Sequence, residues 1–219
     1  MSKHKDYAKN VFINCPFDPK YFELLKTLVF TVVYFGFNPR IALESSDSGE
    51  SRLDKIVKLI QSSKLSIHDL SRLQSKTTDE YYRLNMPFEL GIDYGLRKFN
   101  NSYSDKRSLI LETKKYDYMK AISDINGFDI KNHNDTPLKL VECLRSWFSE
   151  TIGLRNLNSA GKIYNSDFIA FNTHLFRLKM NKYAGQHTST EAENFADSEI
   201  QQMTLPEYID EIKKWRDLQ

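Results

Sequence analysis

Two carboxylates and one short polar loop hold the clearest chemical potential of this 219-residue chain. Asp69 lies near the end of an apolar run, Lys64–Leu70 (KLSIHDL), and Glu89 sits between Phe88 and Leu90 in the first turn of a helix opening at Pro87. A first-turn carboxylate is favoured by the helix dipole and by N–H groups that have no partner within the helix. The plain role of Glu89 is therefore to start its helix, and that of Asp69 to cap a turn. As a pair, the same groups suit cleavage at an anomeric carbon. One carboxylate stabilises or attacks an oxocarbenium-like centre while a second group handles the proton. The loop Asn14-Cys15-Pro16-Phe17-Asp18 and the segment His68-Asp69-Leu70-Ser71 supply further polar groups, and Asn85 precedes the glutamate. Phe17 and Tyr21 offer rings that stack on a base, although packing is the commoner use of such rings. His68 alternates with Asp69 and so points to the other face of its strand. It is expected to be a buried histidine bonded to backbone.

The elements that must position these groups alternate between strand and helix. Strands are expected at Asn10–Cys15, Phe37–Glu44, Lys64–Leu70, Arg107–Thr113 and Phe128–Asn132. Helices are expected after Asp18-Pro19, after Ser51 with Asp54 as a capping box, over Pro87–Phe99, over Tyr116–Ile125 and over Leu138–Phe148. Strands alternating with helices imply an α/β fold, with a parallel sheet and helices on both faces. Five such units suit a flavodoxin-like order, 2-1-3-4-5, and Pro39 places the second strand at an edge because proline cannot donate to a ladder. In that order the strand sequence reverses between strands one and three, and ligands bind at such a point. Asp69 and Glu89 are expected to share that crevice. Ser71–Leu84 is a long polar connection. Arg40 and Glu44 share a strand face and pair, or else Arg40 meets a phosphate.

Residues 1–153 form the α/β domain and residues 154–219 a helical extension. Within the extension, Ile163–Lys182 is expected to be helical, Gly185–Asp197 a loop, and Leu205–Trp215 a second amphipathic helix behind a Thr204–Glu207 capping box. Its apolar stripes must pack on the α/β domain or on a second copy of the chain, so a homo-oligomer is one expectation.

Composition removes several classes of function. Lys and Arg number 31 against 29 Asp and Glu, a net charge of +2, which gives no strong nucleic-acid signal. Two cysteines make neither a disulfide framework nor a four-cysteine metal site, and no His/Cys/Asp spacing fits a metal. The cysteine usage and the polar start at Met1–Lys9 point to a cytoplasmic setting. The run Leu24–Phe37 is interrupted by Lys26 and Gly36 and is too short for a membrane span. Neither the dinucleotide G-x-G-x-x-G, nor the P-loop pattern, nor the G-x-S-x-G elbow of many hydrolases occurs.

The strand-end Asp69 in SIHDLS, the helix start Asn85-Met86-Pro87-Phe88-Glu89-Leu90-Gly91 and the opening strand VFINCPFD together resemble the TIR-like and nucleoside 2-deoxyribosyltransferase-like superfamily, over about residues 10 to 150. The resemblance implies N-glycosidic bond cleavage, with NAD or a nucleoside or nucleotide as substrate and no separate cofactor. It also implies a possible place in bacterial anti-phage defence. It assigns Glu89 as the catalytic glutamate and Asp69 as the acid that binds ribose or assists the leaving base. Asn14, Phe17, Asp18, Asn85 and Ser71 fall where the family contacts substrate. The alternative is a TIR-like module that senses a nucleotide or self-assembles without catalysis.

Overall fold

A computed structural model describes residues 3–72 and 84–219. Its centre is an all-parallel sheet of five strands, β1 (Asn10–Asn14), β2 (Asn38–Ile41), β3 (Leu65–Asp69), β4 (Arg107–Glu112) and β5 (Ile130–Asn132), in the order β2-β1-β3-β4-β5. Each strand is short because its apolar run is short. β1 and β3 are buried along their whole length, as central parallel strands must be. β2 is the edge strand, with Pro39 opposite Val11. The fifth expected strand contracts to three residues.

Side-chain alternation divides the two faces. Val11, Ile13 and Cys15 of the first strand region, with Leu65 and Ile67, join a large cluster with α1 (Phe22–Tyr34) and α4 (Pro137–Glu150). Phe12 faces the other way and packs with Ile56, Leu59 and Ile60 of α2 (Arg52–Gln61) and with Ile92 and Leu96 of α3 (Asn85–Phe99). The Ser51 hydroxyl caps α2 by accepting from the Asp54 N–H. Asp18 makes no such cap. A 3-10 turn, Pro19–Tyr21, intervenes, and α1 begins only at Phe22.

The helix expected over Tyr116–Ile125 is two 3-10 turns, Asp117–Lys120 and Ser123–Ile125. The buried Glu112 carboxylate accepts from the backbone N–H groups of Tyr116 and Tyr118, which holds the chain in a tight bend where an α-helix cannot start. Part of the polar connection expected over Ser71–Leu84, residues 73–83, lies outside the described residues.

The extension folds onto the α1/α4 face. α5 (Ala160–Lys162), a π-helical turn (Ile163–Phe168) and α6 (Ile169–Asn181) follow one another without a break. Phe30 of α1 lies 5.6 Å from Phe171 and 5.8 Å from Trp215 of α8 (Leu205–Arg216), ring centre to ring centre. Phe171 and Leu175 of α6 and Tyr208, Ile209, Ile212 and Trp215 of α8 are thus covered by the same chain, while Leu178 stays exposed. The stretch Gly185–Asp197, expected as a loop, contains most of α7 (Ser189–Gln202). Its capping box, Thr188 with Glu191, sits in a polar stretch. Only the small Ala192 and Ala196 are fully buried, four residues apart, so no bulky stripe marks the helix. Among the described residues, no helix is long and apolar enough to cross a membrane.

Candidate functional site

The carboxyl ends of β1 and β3 meet where the strand order reverses, and three elements bring chemistry there. The first is the loop after β1. Asn14 is buried, and its amide nitrogen donates to the Met86 carbonyl (2.9 Å) and lies 3.1 Å from His68 Nδ1. Phe17 is half-buried, with the Arg52 guanidinium 6.0 Å from its ring centre. Asp18 faces Arg72 at 3.7 Å. Asn14 therefore ties the first turn of α3 to the sheet.

The second element is the end of β3. Asp69 is wholly buried and accepts from the Tyr21 hydroxyl, from the Ser71 N–H (2.9 Å) and from His133 Nε2 (3.1 Å). Against the cost of burial, these bonds from His133, Ser71 and Tyr21 hold its carboxyl below the usual range. The Asp135 N–H donates to His133 Nδ1, so the ring proton sits on Nε2, between Asp69 and the Ser71 hydroxyl at 3.0 Å. Serine, histidine and aspartate gather here without forming a nucleophile triad, because serine and aspartate address the same ring nitrogen. Arg72 follows at φ +69°, a left-handed backbone rare for arginine, and pairs with Asp135 at 2.7 Å. A cleft of about 240 Å3 opens beside this cluster, lined by Lys20, Glu23, Leu24, Arg72, Asp135 and Pro137, and Asp69 lies sealed beneath.

The third element is the start of α3, which opens at Asn85 rather than at Pro87, so Glu89 is its fifth residue and stands past the first turn, contrary to expectation. Asn85 is exposed, whereas Glu89 is 7% exposed. Among the described residues, the Glu89 side chain meets no hydrogen-bond or ion-pair partner. Burial pushes its carboxyl up to about 7, with the charge of Arg52 opposing. A carboxyl ionising near neutrality can both accept and give a proton at physiological pH.

The expectation that Asp69 and Glu89 line one solvent-filled crevice is corrected. Asp69 follows Ile67 towards the α1/α4 face and is closed off, while Glu89 rises from α3 on the other face. They approach the sheet end from its two sides. Burial, then the charges of Asp69 and Glu89, push the Cys15 thiol well up.

His68 also needs correction. Its opposition to Asp69 holds, but its partners are side chains, not backbone. Nε2 lies 3.1 Å from Asp93 Oδ2, which also accepts from Ser66 and Ser108. Lys106, wholly buried, places its ammonium 3.0 Å from Asp93 Oδ1 and donates to the Ile60 and Ser63 carbonyls. Against burial, the His68 bond and the Lys106 charge hold Asp93 far below the carboxylate range. Arg40 pairs with Glu44 at 2.6 Å.

Sequence reasoning did not single out His133, Asp135, Asp93 or Lys106. Two signals were available. Asp93 stands four residues after Glu89, hence on the same helix face, and His133-Asn134-Asp135 follows directly on β5, at the end of the sheet where loops build sites. Among the described residues, no cluster of three His, Cys, Asp or Glu side chains is placed to hold a metal ion. Comparison with family models, with curated proteins and with solved structures finds no match to this chain.

Proposed function

We propose that the chain cleaves the N-glycosidic bond of NAD or of a nucleoside or nucleotide, with Glu89 as the catalytic group. The observation that carries this reading is the Glu89 carboxyl itself. It stands just past the first turn of a helix at the switch point, nearly buried, ionising near pH 7. In the reaction, the bond from the anomeric carbon to the base nitrogen breaks and its electron pair leaves with the base. The Glu89 carboxylate stabilises the positive sugar. Water supplies the oxygen that replaces the base and gives its proton to Glu89, which passes it on to a base that leaves as an anion. Phe17 offers a face for the base and Arg52 a charge for phosphate. Asp69 orients this end of the sheet through Tyr21, Ser71 and His133. The resemblance to TIR-like and deoxyribosyltransferase-like domains supports the same chemistry, and a role in bacterial defence belongs to this proposal.

The test is incubation of the full chain with NAD, nucleotides and deoxynucleotides, with mass detection of released bases. Glu89→Gln keeps the size of the side chain and removes its charge, and is expected to slow release by about 10²–10⁴-fold. An unchanged rate in that variant rejects Glu89. The burial of Asp69 leaves Glu89 without a second carboxylate to share the chemistry, and this favours a second reading, a nucleotide-sensing module. Tight nucleotide binding with the whole pool recovered intact selects it.

A further inference from the structure

An apolar opening between the α/β core and the C-terminal helices lies away from Glu89. A cleft of about 500 Å3 separates the start of α1 from the α7–α8 turn. Helix junctions normally fill to interior density, and a space of this size falls in the range of small-molecule sites. Phe22, Leu25, Leu43, Met203, Leu205 and Tyr208 give it an apolar wall. Phe22 and Leu43 are 45% and 41% exposed at its edge.

One cation stands in that wall. Lys26 of α1 lines the cleft, and among the described residues no carboxylate lies within 4.0 Å of its ammonium. Its contact is the Tyr208 ring, 5.6 Å away at the centre. Lysines of the extension, Lys162, Lys179, Lys182, Lys213 and Lys214, all meet acids. A cation beside an apolar wall lacks the counter-charge that an anionic ligand would bring.

We propose that this cleft is a binding site for an amphipathic anion of the alkyl carboxylate class. The chain lies along Phe22, Leu25, Leu43 and Met203, and the single negative charge meets Lys26 beside Tyr208. One cation in an apolar wall selects a singly charged head on an apolar body over a polyanion, a sugar or a cationic amphiphile. The site holds whatever Glu89 turns over, because it shares no residue with that centre.

Calorimetry on the full chain with decanoate, decanol and decyltrimethylammonium tests it. Decanoate is expected to fill one saturable site, with decanol weaker and the cation unbound. Lys26→Gln is expected to weaken decanoate about tenfold and leave decanol unchanged. Leu43→Glu, at the exposed edge, should weaken decanoate as well by placing a like charge at the mouth, with far-UV circular dichroism showing both variants folded. Equal affinity for all three probes, or decanoate binding indifferent to Lys26→Gln, overturns the proposal. So does a concentration-dependent dimer in sedimentation that Leu43→Glu dissolves and decanoate leaves intact, because the occupant is then a second copy.

Discussion

Burial lifts the Glu89 carboxyl from its ordinary 4.5 to about 7, so between those pH values the folded chain holds a proton that the unfolded chain has released. The unfolded state binds fewer protons across that window, so stability falls as pH rises from 4.5 to 7 and then levels. Glu89→Gln escapes this loss. It is expected to be more stable than the parent at pH 8, by on the order of 2 kcal/mol once screening by nearby water is allowed for, and to gain nothing at pH 4. Urea midpoints at the two pH values check this. A variant that gains stability while losing turnover fits a group kept for chemistry at the expense of the fold. That Glu89 lies near the start of a helix was readable from the sequence, but the helix opens two residues before Pro87 and so puts Glu89 past its first turn. The lifted ionisation of Glu89 was not readable, because that depends on the packing that buries it and on Arg52, thirty-seven positions earlier in the chain. Asp69 shows the same limit. Its strand-end position is local, but Tyr21 and His133 close over it from distant segments.

The element with most at stake is α3. Its first turn is tied to β1 by Asn14 on Met86, and its middle is tied to β3 and β4 by Asp93, which gathers His68, Ser66, Ser108 and Lys106. A buried charge left without its partner is far more harmful than a pair replaced whole. Lys106→Met or Asp93→Leu alone is expected to cost about 3–5 kcal/mol in urea unfolding, and the two together less than the sum. If each single change costs under 1 kcal/mol, the network does not anchor α3. A pattern of apolar positions cannot reveal such a network, since lysine at a strand entrance and aspartate on a helix face look like surface residues. The capped starts of α2 and α8 were plain from Ser51-x-x-Asp54 and Thr204-x-x-Glu207, because a cap is made within four residues. Helix α7 carries the same signature at Thr188-x-x-Glu191 and was still expected as a loop, since its fully buried face rests on two alanines.

Across the whole molecule, one cluster runs from Val11 and Ile13 of the sheet through Phe30 of α1 to Phe171 and Trp215 of the extension. The extension thus completes the core of the α/β domain. Phe171→Ala is expected to destabilise the chain by about 3–5 kcal/mol. Far-UV and near-UV signals should lose structure in a single shared transition, and two separated transitions would show that the extension unfolds alone. The alternation of short apolar runs with amphipathic helices was enough to specify a five-stranded parallel sheet, and Pro39 enough to put β2 at its edge, because periodicity and backbone donors are properties of neighbouring residues. Which side chains meet at the sheet end is a property of distant ones. Only the folded chain shows Asp69 sealed by Tyr21 and His133, Glu89 buried without a partner among the described residues, and Lys26 facing an apolar cleft, since burial and charge pairing are decided by groups brought together through space.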